Sequence, residues 1–332
     1  MKNLYTPIEI PCRSCGRSGG FNPLLKVVTG YRPGASLQVV DCPDCGLTFL
    51  NPQYQFDAYS DYYQNDYYVD DGANSLEETY RVAQSHAAFK PYLKNFAQRL
   101  QPGATYLDVG AGTGQWLDFL RDVAPEIPLE NIHVLEPSDA STAFIRRRYP
   151  TISVQRSMLE DNSYPDGFFD GVLCSALIEH FTDPLESLLR FSRIIKDGGR
   201  LMLITPNLDE HSYAKGPQNL FKFPHTFYYT PGTLVSLLEK AGFTVETEDV
   251  FYDSGLIWYA FLIVVARKKE PRAIGDVEKF RVKTVRDTAN AVSAKAFRQR
   301  MKARISAFRR EFRVWFIKRK IKKIAPWLAR SK

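Results

Sequence analysis

The sequence predicts an α/β fold centred on a doubly wound, mostly parallel sheet of seven strands. Three observations predict it. Strand-like and helix-like patterns alternate from Thr105 to Ala266. The apolar run Tyr106–Val109 passes into a turn with Gly110, Gly112 and Gly114, and a helical pattern resumes at Gln115. Polar or acidic residues then stand at successive strand ends: Asp108, Glu136 and Ser175. Alternation implies helices on both faces of the sheet, with ligands held beyond the carboxyl ends of the strands.

The 332 residues suffice for one sizeable domain with an appendage at each end. At the N-terminus, Cys12-Arg-Ser-Cys15 and Cys42-Pro-Asp-Cys45 form two C-x-x-C pairs, each followed by glycine. Such knuckles can present four thiolates tetrahedrally to one structural Zn²⁺. Leu24–Val28 and Leu37–Val40 have strand character, so residues 1–50 are expected to form a small zinc ribbon. All four ligands come from protein, which leaves no open position for catalysis by the metal.

Residues 51–103 form a tyrosine-rich linker and helix. Tyr62, Tyr63 and Tyr67 either line a substrate cleft or pack between lobes. Leu76–Leu100 reads as one helix ended by Gln-Pro-Gly. Residues 104–267 carry the alternating pattern. Strands are expected at Tyr106–Val109, Ile132–Leu135, Ile152–Val154, Gly171–Ser175, Arg200–Thr205, Phe243–Phe251 and Trp258–Ala266. Helices are expected at Gln115–Asp122, Asp139–Tyr149, Leu185–Lys196 and Thr233–Ala241. No helix separates the last two strands, which suggests an antiparallel pair at one edge. An insertion, residues 207–232, follows the fifth strand on the ligand side. Its aromatic stretch Phe221–Tyr229 could wall the acceptor.

Residues 268–332 form a linker and a basic tail. From Thr288 onward 15 Lys/Arg face a single acid, Glu311, so this stretch carries +14 and the remainder −7 of the total of +7. Phe297, Met301, Ile305, Phe308, Phe312 and Phe316 recur at three- and four-residue steps with Arg and Lys opposite, an amphipathic basic helix. It could dock on an anionic membrane surface through residues 297–327, bind nucleic acid, or pack on the body or a second subunit. The longest uncharged apolar run, Leu256–Ala266, is too short to span a bilayer. With no signal-like N-terminus, the protein is expected in the cytoplasm or peripherally at the inner face of the membrane.

The spacing of the glycine turn decides among ligands. A dinucleotide site prefers G-x-G-x-x-G, and here the third glycine comes one residue early. Glu136, at the end of the second strand, is placed to accept from two ribose hydroxyls. Met158 and Leu159 could flank an adenine. The fourth strand ends in Cys174 and Ser175, followed by Glu179 and His180.

On these residues, 104–267 resembles a class I S-adenosylmethionine-dependent methyltransferase, a Rossmann-like fold. Asp108-Val-Gly-Ala-Gly-Thr-Gly114 is similar to that family's first motif, and Glu136 to its ribose-binding acid. Residues 168–180 are similar to its fourth-strand motif, and 191–206 to the helix and strand that follow. The four-cysteine lobe adds a resemblance to zinc-containing methyltransferases of sugar nucleotides and polysaccharide precursors. The resemblance implies S-adenosyl-L-methionine as cofactor, held by Asp108, Gly110, Gly112, Gly114, Glu136, Met158, Leu159, Cys174 and Ser175. It implies methyl transfer to a hydroxyl, or less readily a carbon, of a sugar nucleotide or a lipid- or nucleotide-linked glycan intermediate. A hydroxyl acceptor must lose a proton, so a base is expected: His225 or His180, with His211 a third option and Glu179 an assistant or a solvent-facing residue. His86 and His133 read as structural. The rival readings are an RNA methyltransferase, disfavoured by the acidic body, and a non-catalytic cofactor-binding protein.

Overall fold

A computed structural model describes residues 5–28, 36–65, 75–209, 220–252 and 260–269. Tyr67, His211, the start of the expected strand at Trp258 and the whole basic tail lie outside them.

In the N-terminal region, β1 (Asn22–Val28), β2 (Ser36–Asp41) and β3 (Thr48–Leu50) run antiparallel in chain order. Each cysteine pair closes a tight knuckle. Gly16 N donates to Cys12 O at 2.8 Å and Gly46 N to Cys42 O at 2.9 Å. The next segment holds a helix that the sequence reading did not expect, α1 (Phe56–Asn65), whose Ala58, Tyr59 and Tyr62 are buried at helical spacing. The expected helix Leu76–Leu100 is divided. It forms α2 (Leu76–Ala83), a 3₁₀ stretch (Gln84–Phe89) and α3 (Lys90–Ala97). Pro91 is the reason: it lacks an N–H and its ring clashes with the carbonyl four residues back, so an α-helix can begin there but not pass through.

The central sheet has the expected seven strands. They are β4 (Tyr106–Val109), β5 (Ile132–Leu135), β6 (Ser153–Gln155), β7 (Phe169–Ser175), β8 (Ile195–Pro206), β10 (Phe243–Tyr252) and β11 (Ala260–Lys268), with the short β9 (Phe227–Tyr228) belonging elsewhere. Their order is β10-β11-β8-β7-β4-β5-β6. β4 pairs in parallel with β5 on one side and β7 on the other. Only β11 is reversed: it runs antiparallel to both β8 and β10. The antiparallel pair therefore lies at one edge, with the last strand threaded inside its predecessor. The connecting helices are α4 (Gln115–Val123), α5 (Asp139–Arg148), α6 (Pro184–Ile194) and α7 (Pro231–Lys240).

Side-chain alternation along the strands feeds two cores. Leu107, Val109, Leu201 and Leu203 enter one, and Tyr106, Met202 and Ile204 the other. The first core does not stop at the central sheet. Ile10, Cys12, Val40, Cys42 and Phe49 of the N-terminal region belong to it, as do Phe227 and Tyr229 of the insertion. The link is also made by backbone. β9 pairs with β3, Thr48 opposite Tyr228 and Phe49 opposite Phe227, so the insertion supplies the fourth strand of the N-terminal sheet. Lys240 Nζ donates to Ser14 O at 2.5 Å, and Arg13 pairs with Asp183 at 3.2 Å.

Candidate functional site

The glycine turn at the end of β4 is a cradle of three left-handed residues: Gly110, Gly112 and Gly114 have φ of 68°, 58° and 80°. Gly110 cannot be replaced cheaply, because its φ of 68° strains any L side chain, and a Cβ there would also lie 2.8 Å from the tip of Leu177, Cδ2. That contact shows how closely the loop after β7 approaches the turn. Gly114 ends the turn as N-cap of α4.

Glu136 ties the cradle to the end of β5. Its Oε2 accepts from Gly112 N at 2.9 Å and its Oε1 from Ser138 N at 3.0 Å. Each carboxylate oxygen retains acceptor capacity for a hydroxyl. Asp108 is 1% exposed, and its Oδ2 has no hydrogen-bond partner. Burial, then the neighbouring Glu136, raises the Asp108 carboxyl from 3.8 to about 8, and burial raises Glu136 to about 7. A buried acceptor without a donor is costly. The cradle thus fits a ligand that carries a cation and vicinal hydroxyls, as S-adenosylmethionine does with its ammonium and ribose.

The other expected cofactor contacts differ in placement. Met158 is half-buried and precedes the short turn Leu159–Asp161. Leu159 is 3% exposed and packs in the core with Leu135. Cys174 is likewise fully buried in that core, and burial pushes its thiol up, so its side chain faces the sheet layer while its backbone ends the strand. Ser175 is half-buried at the strand end, and Ala176 follows with φ 49°, a left-handed conformation unusual for alanine.

Beside the cradle, the loop after β7 and the insertion build a second cluster. One ligand atom each of Glu179, His180 and His225 falls within 4.8 Å of the others. The two imidazoles meet edge to face, centroids 4.7 Å apart. Glu179 is 3% exposed, which removes the solvent-facing alternative. Thr205 at the end of β8 donates to its Oε2 at 2.9 Å. His225 is held by Leu220 O, 2.8 Å from Nδ1; a carbonyl only accepts, so the ring proton is on Nδ1. His180 does not cap the next helix, because Asp183 does so by accepting from Glu186 N at 3.2 Å.

Sequence reasoning missed the partner of His180: Tyr63 of α1 places its hydroxyl 2.6 Å from His180 Nδ1. Nothing in the spacing joins these positions. Tyr62 is buried against Phe223, 4.8 Å away. The described part of the insertion is a wall packed on the loop after β7. Thr226 N donates to Glu179 O at 2.7 Å, and the Tyr229 hydroxyl to Ile178 O at 3.0 Å. His133 is packed among Tyr164, Phe168 and Phe169.

The four cysteines of the knuckles also converge. Cys12 Sγ is 3.5 Å from Cys45 Sγ, and Cys15 Sγ is 3.5 Å from Cys42 Sγ. Tetrahedral Zn–S bonds of ~2.3 Å set sulfurs about 3.8 Å apart, so the thiolates are gathered at metal-site dimensions.

A seven-stranded sheet with one reversed strand and a glycine cradle facing an acidic strand end defines the methyltransferase class of α/β folds. The chain belongs to the methyltransferase domain family, whose model matches residues 81–248. A probable S-adenosylmethionine-dependent methyltransferase of Mycolicibacterium smegmatis is 33% identical over 156 residues, covering 46% of this chain and 58% of that protein. A ubiquinone biosynthesis O-methyltransferase of Xanthomonas axonopodis pv. citri is 28% identical over 193 residues, 52% of this chain and 74% of its own. Among solved structures, a complex of the Haloferax volcanii Trm112 methyltransferase activator with a methyltransferase aligns at TM-score 0.49 and 17% identity, over 62% of this chain and 97% of its own. The chain thus spans little more than half the length of the mycobacterial relative. Among the described residues no helix is long and apolar enough to cross a membrane.

Proposed function

We propose that the chain transfers a methyl group from S-adenosylmethionine to a hydroxyl of a sugar nucleotide or glycan intermediate. Zn²⁺ on Cys12, Cys15, Cys42 and Cys45 would hold the acceptor wall in place. The observation that carries this reading is the juxtaposition of cradle and proton-accepting cluster at the ends of the paired strands β4 and β7, where Val109 lies opposite Cys174. Bound in the cradle, the cofactor supplies an already activated methyl group. The protein's own work is then to align the acceptor and take its proton. Asp108 would neutralise the cofactor's ammonium end and Glu136 would hold its ribose. Glu179, His180 and His225 lie where an acceptor's proton could leave. An amine or thiol acceptor would need less help from such a cluster.

A screen of sugar nucleotides and lipid-linked glycans with methyl-labelled donor tests the reading. Label on a sugar oxygen is the expected result; label confined to nitrogen or to RNA would end the reading. The charge of residues 288–332 supports peripheral contact with an anionic membrane surface at the cytoplasmic face. Liposome co-sedimentation of the full chain should exceed that of a chain lacking 288–332, and equal binding removes the membrane contact.

A further inference from the structure

We propose that the acceptor carries a phosphate, and that Lys222 of the insertion wall is the residue that holds it. The proposal deepens the hydroxyl-acceptor reading and rests on it, because sugar nucleotides and lipid-linked glycans share a diphosphate.

Lys222 is set by the turn that carries His225: its carbonyl accepts from His225 N at 2.7 Å. Phe221, Phe223 and Pro224 are its neighbours in sequence, and the lysine itself is half-buried. Among the described residues its ammonium makes no ion pair or hydrogen bond. Other basic side chains do: Arg13, Arg148, Lys196 and Arg200 each face a carboxylate. Lys26 and Lys94 also lack such a partner, but both are exposed, where water takes its place. A half-buried ammonium loses part of its hydration with no return until an anion arrives.

Glu179 is not that anion. Burial raises Glu179 to about 7 and lowers His180 to about 3, and the charge of Lys222 acts on both, so the lysine stands within electrostatic reach of the cluster. No ion pair joins lysine and carboxylate, however. Glu179 Oε2 accepts instead from the Thr205 hydroxyl at 2.9 Å. A carboxyl titrating near neutrality also offers Lys222 only part of a negative charge.

A second donor points the same way. Asn207 continues the ladder beyond β8: its N–H donates to Ala260 O at 2.7 Å, and its backbone bridges to Tyr229. Alternation places its side chain on the face of Thr205, the face that meets Glu179. Asp209 N donates to its Oδ1 at 3.0 Å, which fixes the sense of the amide. The NH₂ end has no partner, although the residue is 0% exposed. Buried donors are nearly always paired, so this one marks a place for an acceptor oxygen. Lysine binds phosphate as a point charge, without the planar fork that matches arginine to carboxylates, so phosphate is the anion assigned.

Inorganic pyrophosphate is the probe, added to the full chain labelled with heavy nitrogen at histidine and saturated with S-adenosylhomocysteine. The charge of residues 288–332 attracts the same probe, so the readout is local: the nitrogen resonances of His180, assigned by their loss in His180→Gln, should move. Lys222→Gln should weaken that response roughly 10- to 100-fold, the range for a hydrogen bond to a charged group, and Lys222→Arg should keep it. Asn207→Asp, which keeps the oxygen used by Asp209 and removes both donors, should weaken it too. Zinc content and S-adenosylhomocysteine affinity should stay unchanged in each variant. No movement of His180, or an equal response in Lys222→Gln, overturns the proposal. So does a response to glucuronate that pyrophosphate does not give. Tighter binding of uridine diphosphate than of a short polyprenyl diphosphate supports a nucleotide-linked acceptor, and the reverse order a lipid-linked one. With the acceptor from the screen, Lys222→Gln should raise KM by the same factor and leave kcat nearly unchanged. Methyl found on nitrogen or RNA removes the hydroxyl reading whatever pyrophosphate does. Methyl on a sugar oxygen with His180 unmoved by pyrophosphate removes this proposal alone, so the two failures are distinguishable.

Discussion

Cys42→Ser should abolish methyl transfer, by more than about 100-fold, while cofactor affinity changes far less. Structural zinc sites contribute on the order of 10 kcal/mol of apparent folding free energy, and one lost thiolate sacrifices much of it. The consequence reaches the acceptor side because of where the knuckles sit. Cys12 and Cys42 share a core with Phe49, Ile178, Phe227 and Tyr229, and β3 is hydrogen-bonded to β9. Loosening the knuckles releases β9, which lies two residues beyond His225. The cradle, by contrast, is built from β4, β5 and their turns. Metal content per chain, calorimetric cofactor binding and turnover should be measured together. A variant with no bound zinc and undiminished turnover would refute a structural role for the metal. Chelation of the wild type should reproduce the defect, and added Zn²⁺ should reverse it.

Asp108→Asn should weaken cofactor binding by roughly 10- to 100-fold, the equivalent of ~1.5–3 kcal/mol for a hydrogen bond to a charged group. It should also stabilise the protein without cofactor at alkaline pH. The sign follows from the direction of the shift. Asp108 is raised from 3.8 to about 8 in the folded protein, so between those values the native state holds a proton that the unfolded chain has lost. Stability of the cofactor-free protein therefore falls as pH rises through that window, and the asparagine variant lacks that slope. Thermal unfolding at pH 6 and pH 8, with and without S-adenosylhomocysteine, checks both halves. The wild type should gain most from ligand at pH 8 and the variant little at either pH. Equal ligand-induced shifts in the two proteins would exclude Asp108 from the cofactor site.

Much of the fold was legible because its signals are local. The glycine turn, Asp108 and Glu136 are strung along two strand ends, and the seven strands announce themselves by apolar runs. The cysteine knuckles needed only spacing. What was not legible depends on contacts across the chain. α1 hides in a tyrosine-rich run whose burial pattern emerges only when Tyr54, Tyr59 and Phe223 pack together. β9 is two residues long, too short for any periodicity, and is a strand only because β3 lies beside it. The Tyr63–His180 contact joins a helix before the domain to a loop within it. Leu159 and Cys174 show the opposite limit: position at a strand end says that a residue is near the ligand, not which way its side chain turns.

The pairing of Thr48 with Tyr228 has a consequence for how the chain is made. On the ribosome, β1 to β3 emerge early, yet the strand that closes their sheet is synthesised only after most of the cofactor domain. Until then β3 presents an open edge, the kind of surface on which nascent chains pair wrongly. Closure across so long a loop is slow. Zinc captured by the two knuckles during translation would hold the unfinished sheet together until its last strand arrives.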